Sequence, residues 1–119
     1  MVNYRSIGAP GAAYPQWVRA LRGKSGVYAI RVGGELVYVG ESHKGKLYET
    51  LTRHFQTWRR GKSWWSGWFA PSANDPGVTY DRARARVAVR VHARGADAIA
   101  QQDRLIRRLR PRDNKVVPR

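Results

Sequence analysis

The chain has 119 residues, 42% of them hydrophobic, which fits one domain with a modest core and excludes a disordered composition. There is no cysteine, so disulfides, cysteine-ligated zinc and a thiol nucleophile are excluded. Lys and Arg number 23 against eight Asp and Glu, and the formal charge of +15 attracts polyanions and makes their binding salt-dependent.

That charge points to nucleic acid as the partner. A ribosome-like structural role and an acidic membrane surface are the plainer alternatives. No apolar run reaches transmembrane length, and no charged n-region precedes an apolar h-region. Nor is there a long basic helix with a wide apolar face. The expectation is therefore a soluble, intracellular (cytoplasmic) protein with no membrane partner. Any metal-dependent chemistry must draw its carboxylate from eight residues: Glu35, Glu41, Glu49, Asp75, Asp81, Asp97, Asp103 and Asp113.

Residues 1–25 are rich in Gly, Pro and Ala. Tyr14, Trp17, Val18 and Leu21 have helical spacing, which predicts a short lead-in helix over 15–22, ended by Gly23 and Ser25. Residues 26–40, GVYAIRVGGELVYVG, are β-branched and aromatic around Gly33-Gly34, a hairpin pattern. The polar loop 41–46 follows. Residues 47–58 carry a helical stripe of Leu47, Leu51, Phe55 and Trp58, with His54 in its middle and Thr50 at its edge. Residues 59–82 read as a long Trp-rich basic insertion. Arg86–His92 alternates, with Val87, Val89 and Val91 on one face, so a half-buried strand is expected. Residues 96–110 form a second helix with Ile99, Leu105, Ile106 and Leu109 facing the core and Pro111 stopping it. Gln102 falls at the centre of that stripe and Asp103 toward its edge. No repeat and no second domain are found within 1–119.

Tyr28 and Tyr38 are ten residues apart across the glycine pair. A two-residue loop at Gly33-Gly34 pairs Val32 with Glu35 and puts the tyrosines on opposite faces. A three-residue loop over 32–34 pairs Arg31 with Glu35 and sets Tyr28 directly across from Tyr38. The second register also opposes unlike charges, and it is the expectation adopted here.

Gly26-Val27-Tyr28 and Tyr38-Val39-Gly40 resemble the paired tripeptides of the GIY-YIG nuclease superfamily. The helix with LTRHF and the ending QQDRLIRRLRPRDN resemble that family's later motifs, and the likeness runs from Gly26 to Asn114. It implies an α+β fold with a small three-stranded antiparallel sheet flanked by helices. It also implies phosphodiester cleavage of DNA with one divalent cation, Mg²⁺ or Mn²⁺. Tyr28 then activates the attacking water, with Tyr38 hydrogen-bonded nearby. A free phenol has a pKa of roughly 10, so cationic neighbours or a metal–water network must lower it for this role.

Three positions depart from the family's pattern. Glu41 stands where a basic residue is usual, Thr50 where an Arg is usual, and Gln102 where the metal-binding Glu is usual. An amide offers Mg²⁺ one oxygen and no charge. Two readings stand: an introduced Glu-to-Gln substitution, or a native Gln with Asp103 or Glu41 taking over the metal, or the activity lost. Arg53 is a replacement for the arginine missing at Thr50, and His54 would hold a phosphate oxygen or the leaving group. His43, Lys44 and Lys46 would contact the nucleic-acid backbone. In the insertion, Arg59, Arg60, Lys62, Trp64 and Trp65 interleave cations with large aromatics, which suits base stacking or wedging as well as a plain apolar cap. Gly26, Gly40 and Asn114 would support the site. The expected function is a metal-dependent DNA endonuclease inactivated or weakened by Gln102. The alternative is a non-catalytic nucleic-acid-binding module of the same fold. DNA is expected before RNA. With no separate reader module evident, the domain would read structure or strandedness, form a homodimer, or rely on a partner.

Overall fold

The computed structural model describes residues 3–56 and 79–114. In chain order these form β1 (Arg5–Ser6), α1 (Gln16–Arg19), β2 (Ser25–Val32), β3 (Glu35–Ser42), α2 (Leu47–Thr52) with a 3₁₀ turn over Arg53–Phe55, β4 (Ala85–His92) and α3 (Gly95–Leu109). The α+β class is as expected, but the sheet has four strands, in the order β1-β4-β2-β3, not three. The added strand is β1, whose two residues pair with Arg86 and Val87. Two residues carry no readable period in sequence, and they form a strand because the outer edge of β4 needs hydrogen-bond partners.

The hairpin register differs from the expected one. The turn has two residues, Gly33 and Gly34, with φ of 60° and 84°, and Val32 pairs with Glu35. Positive φ at both positions is the mirror-image turn that matches strand twist, and glycine adopts it without strain. Left alone, this turn would send the tyrosines to opposite faces. A bulge corrects it: Arg31 pairs with Leu36 but Ile30 pairs with Tyr38, so Val37 is the extra residue. Tyr28 consequently opposes Gly40, and Tyr28 and Tyr38 share a face. The expected shared face holds, through a bulge instead of a longer loop.

The sheet is covered on both sides. On the first face Tyr28, Ile30, Val37 and Val87 pack with Val18 of α1 and Leu21 just beyond it, with Leu47 and Leu51 of α2, and with Phe55. On the second face Val27, Ala29 and Val39 pack against Ala98, Leu105 and Ile106 of α3. Each aliphatic side chain fully buried here contributes about 1.5–3 kcal/mol. The helical stripe expected over 47–58 ends sooner. Thr52 Oγ1 donates back to the Tyr48 carbonyl (2.8 Å), a bond that bends helices, and the His54 carbonyl accepts from the Tyr80 N–H (2.7 Å). Trp58 lies outside the described residues. In α3 the expected core face is partly corrected: Leu109 is 40% exposed, and Gln101, not Gln102, is the buried amide. Arg110, left-handed at φ 46°, and Pro111 end the helix. Val87 and Val89 face the core as expected, but Val91 is 49% exposed. Among the described residues no helix is long and apolar enough to cross a membrane.

Two devices tie down the termini. The backbone N–H groups of Arg112 and Asp113 donate to Leu36 and Val37 carbonyls, covering the free edge of β3. At the other end Arg82 is buried, and among the described residues no carboxylate pairs with it. Its guanidinium donates to the carbonyls of Ile7 (2.9 Å), Ala12 (2.8 Å) and Ala13 (3.3 Å) and lies 4.0 Å over the Tyr14 ring. This fork replaces the strand pairing that residues 7–13 lack. Arg82→Ala leaves those carbonyls without their donor and costs about 3 kcal/mol. The check is a urea midpoint; an unchanged midpoint would show the clamp to be idle.

Candidate active site

The first face brings three of the expected residues together. Tyr28 comes from β2, Tyr38 from β3 and His54 from the 3₁₀ turn after α2. The Tyr28 and Tyr38 rings stack 6.2 Å apart at 25°, and the His54 ring lies 4.6 Å from Tyr38. Tyr28 Oη and His54 Nε2 are 2.8 Å apart and buried. Two bulky groups fit here because the sheet gives them glycines. A Cβ on Gly40 would overlap the phenol end of Tyr28, and one on Gly26 would overlap the Arg90 carbonyl. The glycine of each tripeptide is thus a site of close approach, Gly40 to the Tyr28 ring and Gly26 to the β4 backbone.

Electrostatics in this cluster runs against the expected phenolate. Burial pushes the Tyr28 hydroxyl well above its ordinary value, and the neighbouring Tyr38 and Glu41 add to the rise, while Arg53 pulls it back. Tyr38 is also raised, by burial first and then by Glu41. The high net charge does not lower either group, because desolvation is local and most of the cations are at the surface. Tyr28 therefore keeps its proton, and its hydroxyl is held by the hydrogen bond with His54 Nε2. Tyr28 and His54 are 1% and 0% exposed, whereas Tyr38 is half-buried. Tyr38 is therefore the member of the cluster that meets solvent, and Tyr28 holds the histidine behind it.

Two residues that sequence reasoning missed extend the cluster. Tyr80 lies beside His54, ring centroids 5.8 Å apart, and its hydroxyl donates to Asp113 Oδ2 (2.7 Å). Arg112 grips the same carboxylate with Nε and Nη2 (3.0 and 2.9 Å) and reaches Glu35 with Nη1 (3.2 Å). Arg112 lowers the Asp113 carboxyl pKa. Tyr80 follows a Pro- and Gly-bearing stretch with no periodicity, so no pattern marked it. Asp113 sits inside the RPRDN ending, where its polar neighbours gave it no distinction.

The other expected residues fall as follows. Arg53 is half-buried and its charge acts on Tyr28; Thr50 is half-buried on α2. Asn114 ties the C-terminal turn to β3: its Oδ1 accepts from the Val39 N–H (2.7 Å) and its Nδ2 donates to the Val39 carbonyl (2.9 Å). His43, Lys44 and Lys46 lie exposed on the loop after β3, with His43 Nδ1 3.1 Å from Glu41. Arg59, Arg60, Lys62, Trp64 and Trp65 lie outside the described residues. Gln102 is half-buried on α3, the helix that covers the sheet face opposite the tyrosines.

A divalent cation needs several oxygens and at least one negative charge. Gln102 supplies neutral donors. Glu41, whose charge reaches both tyrosines, already accepts from His43. Among the described residues no group of three or more His, Asp or Glu side chains could hold a metal ion. As they stand, these residues do not fit the cation that the family resemblance implies, and no step is routed through it.

The raised phenols make a pH prediction. A folded pKa above the free value means that the folded protein holds protons that the unfolded chain releases. This stability is complete below about pH 10 and is lost as pH rises beyond it. Tyr4, Tyr14, Tyr28, Tyr38 and Tyr80 are all raised, so alkaline unfolding should be steep. Phenolate absorbance and circular dichroism should change together. A full phenolate signal from a still-folded protein would contradict the assignment.

Comparison with protein-family models, with curated proteins and with solved structures finds no match to this chain.

Proposed function

We propose that this chain is a DNA-binding domain of the GIY-YIG nuclease type, weakened in phosphodiester cleavage because Gln102 brings no carboxylate and, among the described residues, no cluster beside Tyr38 is built to hold a cation. The observation that carries the proposal is the convergence of Tyr28, Tyr38 and His54 from three separate sequence motifs onto one sheet face. The charge of +15 supplies the attraction for a polyanion. Tyr38, at the solvent side, takes the role nearest the substrate, as hydrogen-bond partner to a phosphate oxygen or to the attacking water. Tyr28 and His54 fix its position through stacking and their own hydrogen bond. Arg53 is placed to offset phosphate charge.

A second reading is a module that binds nucleic acid without cutting it. It is favoured by the burial of Tyr28 and His54 and by the amide at position 102. The test is a cleavage and binding assay on duplex, branched and single-stranded DNA with Mg²⁺ or Mn²⁺. Salt-sensitive binding with cleavage, however slow, supports the first reading. Tight binding with no cleavage by any variant supports the second. No binding to any of these substrates would remove both.

A further inference from the structure

The second sheet face carries charge that neither the core nor the tyrosine cluster uses. Arg31 of β2 and Arg86 of β4 are direct cross-strand partners, and both are exposed. Like charges directly opposed in a sheet are unfavourable, so folding alone gives no reason for this pair. Arg90 follows on the same face of β4, four residues on and roughly 13 Å away, and is also exposed. Among the described residues, no ion pair forms at Arg31, Arg86 or Arg90; Arg31 lies over the Tyr4 ring at 5.0 Å.

The orientation of α3 adds a wall to this floor. The helix packs mainly on β2 and β3 and reaches β4 more sparsely. On its β4 side Gln101 is hydrogen-bonded to His92. Arg104 and Arg108, three and seven residues on, lie within about 60° of Gln101 around the helix axis. Both are exposed, so they flank the uncovered part of β4. Asp97 is the one acid on this side of α3, in its first turn, at the far end from Arg108.

We propose that this arginine groove between α3 and β4 is a second nucleic-acid contact, seating the phosphodiester backbone of a duplex. It lies on the face opposite the tyrosine cluster. The groove is lined by exposed guanidinium groups, which fork onto phosphate oxygens. Contact here would therefore position a duplex without reading its sequence. The roughly 13 Å between Arg86 and Arg90 spans about four phosphates of one strand. The inference shares with the proposed function only the identity of the partner, and it holds whether or not the tyrosine face cuts.

The test is binding of a labelled DNA duplex by fluorescence anisotropy across a potassium chloride series. Two double variants are compared with the native chain. Arg86→Ala/Arg90→Ala empties the floor. Arg19→Ala/Lys24→Ala removes equal charge from exposed positions elsewhere. The groove variant should lower the salt slope by about two and weaken binding on the order of 100-fold at about 0.1 M salt. The control should lose far less. Thermal melting should show the groove variant no less stable, since a like-charge pair is gone. Arg104→Ala/Arg108→Ala on the helix wall should repeat the binding result. Equal losses in groove and control variants would show bulk charge alone and overturn the groove. Unchanged cleavage with unchanged binding in the groove variant would overturn it while sparing the proposed function. No binding by the native chain would overturn both.

Discussion

Gly40→Ala should cost about 3 kcal/mol of stability and separate Tyr28 from His54. The added methyl would occupy the space that the Tyr28 phenol now fills. Neither partner can yield easily. Gly40 is paired with Tyr28 itself across the β2–β3 ladder, and Tyr28 is 1% exposed among close-packed neighbours. Denaturant melts should show the loss, and the imidazole resonances of His54 should shift as its hydroxyl partner leaves. A double-mutant cycle sharpens the test, because a clash between two side chains must be non-additive. In a Tyr28→Leu background the ring is gone, so Gly40→Ala should cost clearly less. Full additivity would mean that the glycine is required for a reason other than the tyrosine.

Tyr38→Phe should lower DNA cleavage by the native chain on the order of 10²-fold, whereas loss of the Tyr28 hydroxyl acts only through His54. That ordering follows from exposure: Tyr38 meets solvent and Tyr28 does not. Gln102→Glu should leave cleavage near the native level, because α3 covers the sheet face opposite Tyr38 and a carboxylate there lies across the sheet from it. The change is one atom in shape and one full charge in chemistry, so salt-dependent DNA binding should also stay nearly unchanged.

The elements long enough to repeat were legible in the sequence. The β2–β3 hairpin, the alternating valines of β4 and the helical stripes of α2 and α3 each show their period over several residues. Pairings set by backbone geometry were not legible. The bulge at Val37 leaves no compositional mark, yet it decides which face Tyr38 joins. The face was anticipated correctly from the wrong loop length, because either device moves the register by one residue. β1 was missed because two residues cannot alternate.

The site divides in the same way. Tyr28, Tyr38, His54 and Asn114 lie within recognisable motifs, and the fold gives each a defined contact. Tyr80 and Asp113 come from separate segments and acquire meaning only where the C-terminal turn meets the chain beside His54. The direction of the phenol pKa shifts was also hidden. Net charge is a property of composition, but desolvation depends on what surrounds one hydroxyl, and here it dominates. Gln102 is the reverse case, since its identity is plain in sequence but the sheet face that its helix covers is set by packing.

The most direct test of the proposed function is the rate of plasmid or oligonucleotide cleavage by the native chain and by Tyr38→Phe, at matched Mg²⁺ or Mn²⁺ and matched DNA occupancy. The predicted result is slow cleavage by the native chain that falls further with Tyr38→Phe. Equal binding by both chains with no cleavage by either would contradict it and leave a nucleic-acid-binding module in its place.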